Sequence, residues 1–324
     1  NYRPSSRYIV YAFEEASTRR SPFLCRTADI DQQGVNEEWR TFLVLKASMG
    51  HAIAKKMLFQ PPVHKYPPNS NFFSLHTAGS HTIQAFFIRA TDDGYCILFS
   101  HGNAEDLGNI YPWFKEVAVK MGVNVMCYDY TGYGLSGSPK NDPGPKEEHC
   151  FRDIEAAYEH LITTLNVPEE RIILYGRSLG SGPTCHLAKR QSEEGRIPVA
   201  GIILQSPLMS AFRVAFHFRY SFPGDMMCNI DKMPHIKSPV FILHGRRDEI
   251  VPFWHGEELY LATKEQYRYP PLWVDEAGHN NIEVTLRRTG NHNTFFDILQ
   301  NFIAYITKHP HGICVREREG RDCI

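Results

Sequence analysis

Residues 172–182 read Ile172-Ile173-Leu174-Tyr175-Gly176-Arg177-Ser178-Leu179-Gly180-Ser181-Gly182. The first four are a short apolar run with the length and composition of a buried strand. A Gly-x-Ser-x-Gly pattern follows at once, and a helix-like run follows that. A serine at its centre stands on a tight strand-to-helix turn with its hydroxyl exposed. Gly176 and Gly180 leave room for strained backbone and for close approach of helix to strand. The helix N-terminus beneath favours developing negative charge. The five-residue pattern alone is a weak signal. The strand before it and the helix after it make Ser178 a candidate nucleophile.

Outward from this turn the chain alternates. Strands are predicted at 72–75, 82–89, 96–100, 123–128, 172–175, 199–204, 240–244 and 272–274. Helices are predicted at 107–121, 151–165, 183–190, 254–263 and 294–307. In 151–165, residues 151, 154, 157, 158, 161 and 162 share one face at helical spacing. Continuous apolar strands, each followed by a helix, predict an α/β fold with a mostly parallel central sheet and helices on both faces. The first two strands have no helix between them and predict an antiparallel hairpin at one edge. One domain is expected over 71–309. Residues 49–70 read as a basic lead-in helix around Lys55 and Lys56 that stops at Pro61-Pro62. Residues 1–48 show no sustained period and are expected to precede the true start at Met49. Residues 310–324 form a charged tail.

Two further loops supply partners for Ser178. The strand ending at His244 runs into Gly245-Arg246-Arg247-Asp248-Glu249, which offers Asp248 as an acid, with Glu249 as a rival beside it. The strand at 272–274 runs into Asp275-Glu276-Ala277-Gly278-His279, which offers His279 as general base and acid. Two backbone N–H groups must face a developing oxyanion. One comes from Leu179, after the nucleophile. The other is assigned to Asn103 in His101-Gly102-Asn103-Ala104, with Ala104 as a neighbour able to share the role. Taken singly, each residue has an ordinary explanation: a serine in a glycine-rich turn, a polar loop histidine, an aspartate capping a helix. Together, four loops at the C-terminal ends of predicted parallel strands carry the four required groups in order.

The 324 residues carry a formal net charge of −1, which excludes a general field for nucleic acid or anionic lipid. No stretch approaches the ~20 apolar residues of a membrane span. Eight cysteines without a Cys-x-x-Cys pair suit a reducing compartment. Gly132-Tyr133-Gly134-Leu135-Ser136-Gly137 matches a dinucleotide-binding pattern in letters, but Ser138-Pro139 stands where a helix must begin, so it reads as a structural turn. Sixteen histidines show no metal-ligand spacing. No cofactor and no metal are expected, and nothing in the sequence fixes an oligomeric state.

Several further stretches carry a resemblance. They are Leu98-Phe99-Ser100-His101-Gly102-Asn103-Ala104-Glu105-Asp106-Leu107-Gly108, Tyr128-Asp129-Tyr130-Thr131-Gly132-Tyr133-Gly134, Asp153-Ile154-Glu155-Ala156-Ala157, Ser206-Pro207-Leu208, Asn229-Ile230-Asp231-Lys232 and Gly278-His279-Asn280. With the Ser178 turn they resemble the serine-hydrolase branch of the α/β-hydrolase superfamily. Within it they look most similar to the α/β-hydrolase domain-containing protein 17 subfamily of palmitoyl-protein thioesterases. The resemblance covers about residues 51–306. It implies an α/β-hydrolase fold, hydrolysis of S-acyl thioesters on membrane-attached proteins, and a cytoplasmic location with peripheral membrane contact. The subfamily's lipidated N-terminal cysteine cluster has no counterpart before Lys55, where Cys25 stands alone. With Met49 as the start, Gly50 becomes a candidate for myristoylation, although Ala54 occupies the position where Ser or Thr is preferred.

The interval Ser206–Ser238, where a lid often sits in this fold, is short, so a small or absent lid and an open site are expected. Met209, Phe212, Phe216 and Met226 are candidates for an acyl-chain groove, with core packing as the ordinary alternative. The expected function is a serine hydrolase acting on S-acylated proteins or acyl lipids. The alternatives are the same chemistry on a lysophospholipid, monoacylglycerol or peptide, and a non-catalytic scaffold.

Overall fold

The computed structural model describes residues 55–64, 66, 71–137, 144–216, 224–288 and 295–310, all within one compact unit, Val44–Ile324. The expectations for residues 1–48, Met49, Gly50, Ala54, Cys25 and the tail beyond 310 lie outside these residues. Residues 55–58 are helical, and this turn closes with Phe59 N–H donating to the Lys55 carbonyl at 3.0 Å.

Eight strands form one sheet. They are β1 (Phe73–His76), β2 (Thr82–Ile88), β3 (Cys96–Ser100), β4 (Asn124–Tyr128), β5 (Ile172–Arg177), β6 (Gly201–Gln205), β7 (Val240–Gly245) and β8 (Leu272–Val274). Their order is β1-β2-β4-β3-β5-β6-β7-β8. β1 pairs antiparallel with β2, and β2 with β4; every later pairing is parallel. The predicted edge hairpin and mostly parallel sheet are therefore present.

The sheet separates two apolar layers. Along β5, Ile172 and Leu174 face one layer, and Ile173 and Tyr175 face the other. β3 does the same with Cys96 and Leu98 against Ile97 and Phe99. This is the period of two expected of a strand, with both faces buried. Helices α1 (Leu107–Met121), α6 (Ile282–Arg288) and α7 (Phe295–Lys308) cover the Tyr175 side. Helices α2 (Glu147–Thr163), α3 (Ser181–Glu193), α4 (Ala211–Phe216) and α5 (Trp254–Ala262) contribute to the Leu174 side.

Local chemistry sets the helix ends. The Asp106 carboxylate accepts the Asn109 N–H at 2.9 Å and starts α1, and Gly122, at φ 63°, ends it. α2 begins four residues before its predicted start. Glu147 and Glu148 occupy its first turn, where negative charge is favoured, and Cys150 extends its buried stripe. The predicted face of α2 is the observed one: Ile154, Ala157, Tyr158 and Leu161 are buried. α4 and α6 were not predicted, because at six and seven residues neither is long enough to show a period.

Gly132 and Gly134 both lie in a turn at positive φ, 87° and 55°. A Cβ on Gly134 would overlap the Asp129 carboxylate and the Tyr66 hydroxyl, which hydrogen-bond each other there. This glycine run therefore serves backbone packing after β4. Among the described residues, no helix is long and apolar enough to cross a membrane. The described cysteines, Cys96, Cys127, Cys150, Cys185 and Cys228, are free, and burial pushes the Cys96 thiol up to about 12.

Candidate active site

Ser178 follows β5 directly and adopts φ 51°, a left-handed conformation that is costly for a residue with a Cβ. The surrounding glycines show why the turn can exist. A Cβ on Gly176 would meet the Gly180 carbonyl oxygen at 2.5 Å and Thr184 Oγ1 at 2.6 Å. A Cβ on Gly180 would overlap the Ser100 carbonyl at the end of β3. The Ser181 hydroxyl donates to the Ser178 carbonyl at 2.6 Å and braces the turn from the helix side.

The loops after β7 and β8 meet this serine. His279 Nε2 lies 2.9 Å from Ser178 Oγ, and His279 Nδ1 lies 2.7 Å from Asp248 Oδ2. All three residues are buried. Asp248 Oδ1 accepts the backbone N–H groups of Ile250 at 3.0 Å and Val251 at 2.7 Å. Burial opposes the charge on Asp248. The hydrogen bonds from His244 and His279, the His279 charge and the Val251 N–H outweigh burial, and hold this carboxyl well below the usual carboxylate range. The rival acid Glu249 is exposed, and His279 is paired with Asp248.

The loop after β3 packs against the serine turn from the other side. Leu179 is buried in the apolar layer. Asn103 stands on the facing loop, with its side-chain carbonyl accepting the Tyr133 O–H at 2.9 Å. The Glu105 carboxylate accepts the Gly102 N–H at 2.7 Å and forms an ion pair with Arg177, the residue before Ser178. His101 lies 3.2 Å from Asp129 Oδ1 through Nε2, and its ring packs on Tyr130 at 4.2 Å.

The acyl-groove candidates lie in and around α4. Met209, Phe212 and Met226 are buried in the Leu174-side layer, and Phe216 is half-buried against it. Ala211 N–H donates to the Met226 carbonyl at 2.8 Å and Met209 N–H to His255 Nδ1 at 3.0 Å, so these residues are woven into one packed segment. A cavity of about 100 Å³ lies on the opposite side of the sheet, lined by Glu105, Asn109, Tyr175, Arg177, Gln205 and Glu283 among others.

Sequence reasoning missed His244, Glu105 and the His101–Asp129 pair. Each was within reach of it. His244 ends a predicted strand four residues before Asp248, and Glu105 lies two residues beyond Asn103.

The chain is 38% identical over 236 residues to α/β hydrolase domain-containing protein 17C of Mus musculus, which covers 72% of this chain and 67% of that protein. It is 39% identical over 214 residues to α/β hydrolase domain-containing protein 17B of Homo sapiens, covering 65% of this chain and 70% of that one. The chain belongs to this family. It spans about two thirds of the length of the α/β hydrolase domain-containing protein 17 members it matches. A family model described as serine aminopeptidase, S33, matches residues 94–219, from β3 past the Ser178 turn. The fold is shared with more distant proteins. The Pyrococcus furiosus esterase Pf2001 superposes with a TM-score of 0.56 at 18% identity, over 77% of this chain and 99% of that one. The esterase RhEst1 from Rhodococcus sp. ECU1013 does so with a TM-score of 0.54 at 15% identity, over 73% of this chain and all of that one.

Proposed function

We propose that this protein is a serine hydrolase that cleaves S-acyl thioesters of acylated proteins through an acyl-enzyme intermediate. The observation that carries the reading is the position of His279, in hydrogen-bond reach of Ser178 Oγ through one ring nitrogen and of the Asp248 carboxylate through the other. Ser178 attacks the acyl carbonyl as its proton passes to His279 Nε2. The tetrahedral oxyanion is held by the Leu179 and Asn103 N–H groups. Its collapse breaks the C–S bond, and His279 returns the proton to the leaving thiolate. Water then gives a proton to His279 as its oxygen attacks the acyl-serine; collapse of the second oxyanion breaks the bond to Ser178 Oγ, His279 returns the proton to that oxygen, and the fatty acid leaves. Asp248 stays ionised throughout and keeps His279 in the tautomer with its proton on Nδ1.

The choice of a protein thioester over a lipid ester rests on the family resemblance. Contact with a membrane surface belongs to the same proposal, and the exposed Met57 and Val63 beside Lys55 and Lys56 support it. A fluorophosphonate probe should label the wild type and not Ser178→Ala. Purified protein should release palmitate from a palmitoyl-thioester peptide faster than from a lysophospholipid. The reverse order would move the substrate to lipid, and a folded wild type that takes no probe would overturn the hydrolase reading.

A further inference from the structure

The lead-in segment touches the loop proposed to hold the oxyanion. Three hydrogen bonds converge on one side-chain amide. Gln60 N–H donates to Asn103 Oδ1 at 2.7 Å, the Tyr133 hydroxyl donates to the same oxygen at 2.9 Å, and Asn103 Nδ2 donates to the Met57 carbonyl at 3.2 Å. These partners fix the amide's orientation: a backbone N–H can only donate, and a carbonyl can only accept. Burial pushes the Tyr133 phenol up, so it keeps its proton and stays a donor. The segment is anchored independently of these bonds. Phe59, between the two backbone partners, is buried in the same apolar layer as Tyr130 and Tyr133.

We infer that Asn103 is a positioning residue with two jobs on one residue. Its backbone N–H faces the reacting oxygen, and its side chain ties that N–H to residues 57–60 and to Tyr133. The inference rests on the proposed serine-hydrolase reading and adds a new part to it: the chain ahead of the sheet helps to set the geometry of the oxyanion site. A free loop would have to be ordered in each turnover. A loop tied at Gly102 by Glu105 and at Asn103 by the lead-in is already in place. The lead-in contributes two backbone groups to the clamp, so the identities of the side chains at 57 and 60 do not form it.

The test uses the full chain with a p-nitrophenyl ester as substrate and an aryl trifluoromethyl ketone as inhibitor. The ketone forms a hemiketal oxyanion on Ser178 and so reports on the same site. Rates are normalised to the active fraction by fluorophosphonate titration, which removes any loss through misfolding. Asn103→Ala keeps the backbone N–H and should lower kcat by about 10- to 100-fold with little change in KM. The ketone's inhibition constant should rise by the same factor. Gln60→Pro deletes the donor from the lead-in and also fixes φ there, so a thermal melt of the variant accompanies its kinetics. The variant should lower kcat by a smaller factor and have no further effect when combined with Asn103→Ala. A kcat for Asn103→Ala within twofold of wild type would overturn the inference, as would fully additive effects of the two changes. An inactive wild type would remove the hydrolase reading beneath it as well, so the two failures are distinguishable.

Discussion

His244 stands behind Asp248, with its Nε2 lying 3.2 Å from the same carboxylate oxygen, Oδ2, that His279 engages at 2.7 Å. That nitrogen is also 2.9 Å from the Val251 carbonyl, which can only accept, so Nε2 carries the proton. A second imidazole thus donates to the acid and holds it in line.

Replacing His244 should therefore weaken turnover without removing any group that reaches substrate. His244→Phe keeps an aromatic ring but loses the N–H. A hydrogen bond to a charged group is worth about 1.5–3 kcal/mol, so a fall of about tenfold or more in kcat is expected. KM should stay near its original value. His244→Gln, which can still donate, should recover part of the loss. Steady-state kinetics on a p-nitrophenyl ester, with a thermal melt of each variant, make the check.

The three residues of the proposed hydrolytic site should act as a unit. Ser178→Ala should lower kcat by about 10³-fold or more. His279→Ala should do much the same. The double variant should be no worse than Ser178→Ala alone, because His279 works only through the serine. Independent, multiplying losses in single-turnover experiments would contradict the arrangement described above.

Glu105 joins two loops that must stay together. It accepts the Gly102 N–H at 2.7 Å and pairs with Arg177, next to the nucleophile. The two side chains are 18% and 25% exposed, so solvent weakens the pair and the full cost of breaking a buried one does not apply. Glu105→Gln retains an acceptor for Gly102 but removes the charge paired with Arg177, leaving Glu283 as the remaining carboxylate acting on that guanidinium. A stability loss of about 1–2 kcal/mol is expected in denaturant titration. Glu105→Ala should cost more, because the Gly102 acceptor is lost as well.

Asp153 sets a pH dependence of opposite sign to that of Asp248. It sits inside α2, and its carboxylate accepts the Thr131 N–H at 2.7 Å and the Thr131 hydroxyl at 2.9 Å. Burial raises its pKa to about 7, against the pull of the Thr131 hydrogen bonds. In the unfolded chain an aspartate titrates near about 3.9. Between these two values the native state binds more protons, so this group makes stability fall as pH rises from about 4 to about 7. Asp248, with its lowered native value, contributes stability that is lost as pH falls into the acid range. Asp153→Asn should flatten the fall in melting temperature across the first window, and an unchanged slope would exclude this carboxyl as its source.

Most of the sheet was legible because its strands are continuous apolar runs separated by longer amphipathic ones. Ile172–Tyr175 and Val240–His244 could hardly be anything else in that context. The parallel order followed from the helices between them. Asp248 could be told from Glu249 only in three dimensions, since both fit the spacing and only the turn geometry buries one and exposes the other. The bracing groups were less visible. His244 and Glu105 act on neighbours through single hydrogen bonds, and no periodicity marks such a contact. Met209, Phe212 and Met226 show the opposite difficulty: apolar residues near a site look alike in sequence whether they line a groove or pack beneath it.

The alternation of β5 between two apolar layers limits where the chain can change length. Deleting one residue from Ile172–Tyr175 would turn every later side chain of that strand to the opposite layer, and would carry Ser178 away from His279. Adding a residue in β7 would do the same to Asp248. The connections between strands and helices carry no such parity. Insertion scanning should find the central strands intolerant at single-residue resolution and the exposed turn at Asp92-Asp93, between β2 and β3, permissive. Changes of chain length are then confined by the pleat of the sheet to its rims, where they can reshape what reaches the serine without disturbing the serine itself.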